Sequence, residues 1–169
     1  MSRVARYHAD RTNQKLYFAR LSCQQATQTE NVQAAQGARE AAVFHLQGAV
    51  LAFLQELARY YKINELARPT LQSLKEKMAE RTQVSPEVTI LESLSQQGFL
   101  AELNRAYHSC QYAPEPPAPN YEDEQGFSNL ILKVTQSPLA WLPDVQILRE
   151  WHKELTQLIE GFRNEMIEF

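Results

Sequence analysis

Between Ala41 and Gln55 the chain reads AAVFHLQGAVLAFLQ, fifteen residues without an Asp, Glu, Lys or Arg. On a helical projection Val43, Leu46, Val50, Phe53, Leu54 and Leu57 fall on one side, and Phe44 and Leu51 on another. A helix that is apolar over most of its circumference has to be enclosed by other helices. Interrupted by His45, Gln47 and Gln55, this stretch is expected to be too short and too polar for a membrane span. It therefore predicts the central helix, about residues 33–62, of an all-α, single-domain bundle of five to seven helices covering residues 1–169. Such a helix is about 45 Å long at 1.5 Å per residue.

The remaining pattern is consistent with this. Five glycines, widely spread, disfavour a sheet fold built on tight turns. Asp10 or Thr12 is a candidate cap for a first helix, in which Leu16, Ala19, Cys23 and Ala26 recur at helical spacing. Pro69 and Thr70 precede a short amphipathic helix, LQSLKEKMAER. Ser85-Pro86-Glu87 places a cap, an N1 proline and a first-turn acid in order. The helix it opens is expected to break at Gly98. Residues 112–126, YAPEPPAPNYEDEQG, carry four prolines and four acids, which predicts an extended connector. A helix is expected over SNLILKVTQ, although its β-branched content suits a strand too. A Trp141-bearing turn, SPLAWLP, follows. Asp144 then caps a last helix in which Leu148, Trp151, Leu155, Leu158 and Phe162 form an a/d seam. That seam either closes the bundle or meets a second copy. The small residues Ala41, Gly48 and Ala52 mark where another backbone could approach the central helix.

The net charge of −3 is unevenly spread: residues 1–62 carry +4 and residues 63–169 carry −7. A basic first helix lying beside an acidic last one accounts for this with fewer assumptions than a nucleic-acid surface, because the chain as a whole repels polyanions. Cys23 and Cys110 form no paired framework and are expected as reduced thiols. MSRVARYHADR has no apolar signal region, and a cytoplasmic protein is expected.

No two glycines lie within ten residues of each other, so a phosphate-binding loop and a dinucleotide fingerprint are excluded. CxxC, HExxH, GxSxG and an EF-hand register are also missing, and no His follows a Glu at the spacing of bundle di-iron sites. No metal and no cofactor is expected, and the reading leans away from an enzyme. The spacing Arg39 to His45 resembles the arginine–histidine motif of the HEPN helical ribonucleases, which implies RNA cleavage by those two residues from paired subunits. Residues six apart are rotated by about 120° on a helix, however, so a structural histidine and an end-of-helix cation are the simpler reading. The segments RTNQKLYFARL (11–21) and AREAAVFHLQGAVLAFLQELARYY (38–61) resemble an uncharacterised family of small cytoplasmic gamma-proteobacterial proteins with a domain of unknown function. That resemblance implies a soluble helical protein and transfers no site residues.

The expectation is a non-enzymatic interaction or scaffold module that binds a protein partner, or itself as a homodimer, through Trp141, Trp151, Leu155 and Leu158. The alternatives are an RNA-directed protein using Arg39 and His45, and a small-ligand-binding bundle with an internal cavity.

Overall fold

The computed structural model describes residues 3–112 and 142–167 and is all-α. Six helices are present among the described residues: α1 (Arg3–Gln28), α2 (Val32–Tyr60), α3 (Leu71–Glu80), α4 (Pro86–Gln96), α5 (Phe99–Ser109) and α6 (Val145–Ile167). Most of the expected connector, the SNLILKVTQ segment and Trp141 lie outside the described residues.

Local chemistry fixes most helix ends. Asn31 accepts a hydrogen bond from the Ala34 amide at 3.0 Å and starts α2. Thr70 and Ser73 form a reciprocal capping box at the start of α3. The Ser85 hydroxyl caps α4 with Pro86 in its first turn. The Asp144 carboxylate accepts from the Ile147 amide at 3.0 Å and caps α6. Each such cap satisfies an amide that the helix itself leaves without a partner. Gly98, at φ 142°, separates α4 from α5 in a conformation that side-chain-bearing residues rarely adopt. One boundary differs from expectation. The first helix begins at Arg3 rather than near Asp10 or Thr12, because no Gly or Pro interrupts the residues before Asp10 and a potential cap does not by itself stop a helix.

α1 and α2 form an antiparallel hairpin around a three-residue turn, residues 29–31. They meet along small side chains: Ala19, Cys23 and Ala26 of α1, and Ala38, Ala42 and Ala49 of α2, are all buried. The adjoining side of α2, with Leu46, Phe53, Leu54 and Leu57, supplies the middle of a core that includes residues from all six helices. α6 lies against both helices of the hairpin. Leu148, Trp151, Leu155, Ile159 and Phe162 are buried there, and Leu158 is half-buried against the same core. Phe162 stacks on Phe53 with ring centroids 5.9 Å apart. The a/d seam is therefore filled by the chain's own hairpin.

By length and composition α2 does meet the requirements of a membrane span, contrary to the sequence expectation. Half of that stretch is buried within the bundle. The core helix of a helical bundle passes the same test, because both environments select uncharged side chains.

Polar contacts hold the outer helices onto α2. Arg163 of α6 reaches both oxygens of Glu56 on α2, Nε to Oε2 at 3.0 Å and Nη2 to Oε1 at 2.7 Å. At the other end of α6, Arg39 of α2 donates to the carbonyls of Leu142 (2.5 Å) and Pro143 (2.8 Å). Where α2 ends, the Tyr61 hydroxyl donates to Glu87 Oε2 at 2.6 Å, and the Ser85 hydroxyl donates to the same oxygen at 2.6 Å. Glu87 is only 4% exposed and sits in the first turn of α4, where the helix dipole favours a negative charge. Burial, reinforced by the hydrogen bond to Glu87, pushes the Tyr61 hydroxyl up to about 12.

Removing the Tyr61 donor should be felt as a weakened joint between α2 and α4. Tyr61→Phe, measured by urea unfolding, is expected to cost about 1–3 kcal/mol, because the Glu87 carboxylate stays buried with one partner fewer. An unchanged midpoint would show that water replaces the hydroxyl.

Candidate interaction face

The residues singled out by the sequence do not converge. Arg39 has its guanidinium occupied by the two carbonyls ahead of α6. His45 instead faces α1, its ring 5.3 Å from that of Phe18. The helical rotation between them separates these directions, and no shared Arg–His cleft forms. Trp151 and Leu155 are buried in the chain's own core and Leu158 is half-buried against it. In this fold they offer little surface to a partner, because their apolar atoms already face α1 and α2. Trp151 does line a groove of about 420 Å³ between α5 and α6, together with Glu102, Arg105, Pro143 and Ile147. That groove is an open surface feature, unlike the internal cavity a ligand-binding bundle calls for.

A different face remains available. Phe44 and Leu51 of α2 are 41% and 45% exposed, although they sit on the most apolar helix of the chain. Seven residues apart, they lie two turns from each other on one side of α2. Tyr107 of α5 borders them, its ring 5.2 Å from that of Phe44 in an edge-on arrangement. Between Val43 and Leu57 the helix is exposed only along this strip, Val32 and Tyr60 being exposed at its two ends. The sequence placed Phe44 and Leu51 on a separate side, but periodicity alone could not show that this side goes uncovered.

The α1 edge of the strip is cationic. Gly48 lies one turn from both Phe44 and Leu51, and Lys15 of α1 is laid across it. A Cβ at Gly48 would stand 3.1 Å from Lys15 Cδ and 3.2 Å from Cε. The close approach anticipated at Gly48 is therefore made by a side chain rather than by a backbone. Burial, and then the neighbouring Arg11, push the half-buried Lys15 ammonium below its ordinary value. Among the described residues neither Lys15 nor Arg11 makes an ion pair. Among the described residues the guanidinium of Arg11 bonds only to Gln14, on its own helix.

The expected pairing of basic first helix with acidic last helix also takes another form. α6 contacts α1 through Arg163, which reaches the Asn13 side chain at 2.9 Å and the Ala9 carbonyl at 3.5 Å. His152 donates from Nε2 to the Leu16 carbonyl at 3.0 Å. Ion pairs between α1 cations and α6 acids are absent among the described residues. Arg11 and Arg20 are exposed to solvent and Lys15 is half-buried.

His45 completes the edge. Its Nδ1 is buried without a hydrogen-bond partner. Burial, and then Lys15 and Arg11, hold its imidazole below the ordinary value. Both thiols are unpaired. Burial raises Cys23, with Arg149 opposing, and pushes Cys110 up to about 11, reinforced by Glu40. Neither is a thiolate at neutral pH, so neither is an activated nucleophile. No group of three or more metal-ligating side chains occurs among the described residues.

The two shifted histidines set a pH dependence. His152 is also lowered, by burial first, with the Leu16 carbonyl opposing and Arg20 adding. Because both folded values lie below the unfolded 6.5, the unfolded chain binds protons first as pH falls. Their stability contribution is complete above 6.5 and shrinks as pH drops through 6.5 toward the folded values. Urea midpoints should therefore decline from pH 7 to pH 5, and less steeply in His45→Gln combined with His152→Gln. Parallel declines in the two proteins would show that other groups dominate.

A family model described as a family of unknown function (DUF6586) matches residues 7–169. No curated protein and no solved structure matches the chain.

Proposed function

The chain belongs to DUF6586, a family of unknown function, and on its own geometry we propose that it is a non-enzymatic, cytoplasmic interaction module. Its contact surface is the exposed strip of α2. The observation that carries this is the pair Phe44 and Leu51, 41% and 45% exposed in the middle of a helix whose other large apolar side chains between Val43 and Leu57 are buried or half-buried. A contiguous exposed apolar patch rimmed by polar residues is a mark of an interaction surface. An amphipathic segment laid along a strip of two anchors spaced by two turns is a recurring mode of recognition. The unpaired thiols fit a reducing compartment.

Charge selects the occupant. A second copy related by a two-fold axis would cross at the middle of the strip, at Gln47 and Gly48, setting Phe44 against Leu51 of the other copy. The same operation brings the two Lys15 side chains together across Gly48, and like charges at a closed interface are repelled. An apolar segment that carries acidic groups satisfies both the strip and its cationic edge. The partner is accordingly a different protein presenting an acidic amphipathic segment. The ribonuclease reading has less support, since Arg39 is engaged by backbone carbonyls.

Light scattering at high concentration is expected to show a monomer. A bait comparison then tests the strip: a partner retained by the wild-type chain should be lost by Phe44→Ser with Leu51→Ser and by Lys15→Glu. Helical content should be unchanged in all of these. Leu46→Ala, within the core, should instead lower stability by about 2–5 kcal/mol. A dimer dispersed by the serine variants would assign the strip to a second copy. Equal retention by all variants would remove the strip as a docking site.

A further inference from the structure

We propose that Lys15, Arg11 and His45 form an oxyanion site that receives a phosphate group. The site goes beyond the docking strip because it is built from the α1 edge and does not use Phe44 or Leu51. Three features of its construction support it. Lys15 is seated: its stem lies across Gly48, and the ammonium is held 3.5 Å from where a Cβ would stand. A lysine with no packing role would extend into water, where its charge is best solvated. Arg11 lies four residues before Lys15 and therefore on the same face of α1. His45 lies three residues before Gly48 on α2, under the same stretch of α1, with the Phe18 ring 5.3 Å away as a wall.

The cluster is also incomplete as it stands. Two cations lie on the α1 side of His45, whose Nδ1 is sealed from solvent, so that the imidazole backs the site and the cations contact the anion. Among the described residues no carboxylate pairs with either cation. Asp10, next in sequence to Arg11, is exposed and enters no ion pair among the described residues. Like charges gathered without a counter-ion repel each other, and an anion bound between them relieves that repulsion. A carboxylate brings one charge and two oxygens. A phosphate brings close to two charges and three acceptor oxygens, which suits a guanidinium and an ammonium acting together. The phosphate is either free or carried as an ester on a small molecule.

The test titrates the whole protein with orthophosphate and, separately, with glycerol 3-phosphate, using sodium chloride at matched ionic strength as reference. The readouts are the His45 ring-proton resonance and the unfolding temperature. The expected result is a saturable His45 shift and a raised unfolding temperature with phosphate but not with chloride. Lys15→Gln should weaken binding by about tenfold or more. Arg11→Gln serves as the second variant: the residue is exposed, so the fold is retained, yet one of the two cations is lost and binding should fall. Phe44→Ser with Leu51→Ser should leave phosphate binding unchanged, which separates this site from the docking strip. Saturation by orthophosphate assigns a free anion, and saturation by glycerol 3-phosphate alone assigns an ester. Chloride reproducing the phosphate effect, or Lys15→Gln binding as tightly as the wild type, overturns the proposal.

Discussion

Removing the uncharged span of α2 from water is the requirement around which the molecule is arranged. Val43, Leu46, Phe53, Leu54 and Leu57 on one side, with the buried alanines Ala38, Ala42 and Ala49 beside them, form an arc too wide for a single neighbour to cover. α1 takes the side lined by alanines, where small residues let two helices lie close together. α5 and α6 take the side lined by larger residues, and α3 and α4 complete the core near the C-terminal end of α2. The cost of leaving so much apolar surface wet grows with its area. The helices around α2 therefore have little freedom in where they sit.

Polar contacts add position to that burial. Arg39 and Arg163 grip the two ends of α6 from opposite sides of the partnership, one reaching from α2 to backbone carbonyls and the other from α6 to Glu56. Glu87, enclosed by Tyr61 and Ser85, joins the end of α2 to the start of α4. Each of these groups is largely removed from solvent, so losing one partner leaves the other poorly satisfied. The pairs Lys77–Glu80 and Arg81–Glu65 are more exposed and lie on the surface, where such contacts add little. The cations of α1 differ from both groups. Lys15 and Arg11 lie one turn apart, lack carboxylate partners among the described residues, and border the exposed Phe44–Leu51 strip of α2. The proposed docking strip and anion site lie along that edge, which the requirements of the fold itself do not explain.

How much could be read in advance depended on the range of the interaction. The caps at Ser85 and Asp144 were legible because a side chain and an amide three residues away decide them. The break at Gly98 was legible for the same reason. The start of α1 was misjudged, since Asp10 and Thr12 can cap a helix but can equally be carried inside one. The C-terminal seam was correctly seen as apolar, yet its spacing is the same whether the facing helix belongs to the same chain or to another. Phe44 and Leu51 stood out as a separate apolar side, but nothing in their periodicity shows that this side is left open. The orphaned Nδ1 of His45 and the seat of Lys15 on Gly48 left no sequence signal at all.

The amino-acid order alone determined that this protein is helical, that its second helix is central, and where most of its helices begin. Those outcomes follow from propensity, capping and the absence of charge over one long helix, all of which act within a few residues. Only the tertiary arrangement decided that α6 turns its seam inward and that Arg39 is drawn to the carbonyls ahead of α6. It likewise decided that His45 faces α1, and that Lys15 and Arg11 are left beside an exposed apolar strip. Which flank of a helix stays uncovered depends on the shapes and number of the helices packed around it. That is a property of the whole bundle, and no single segment encodes it.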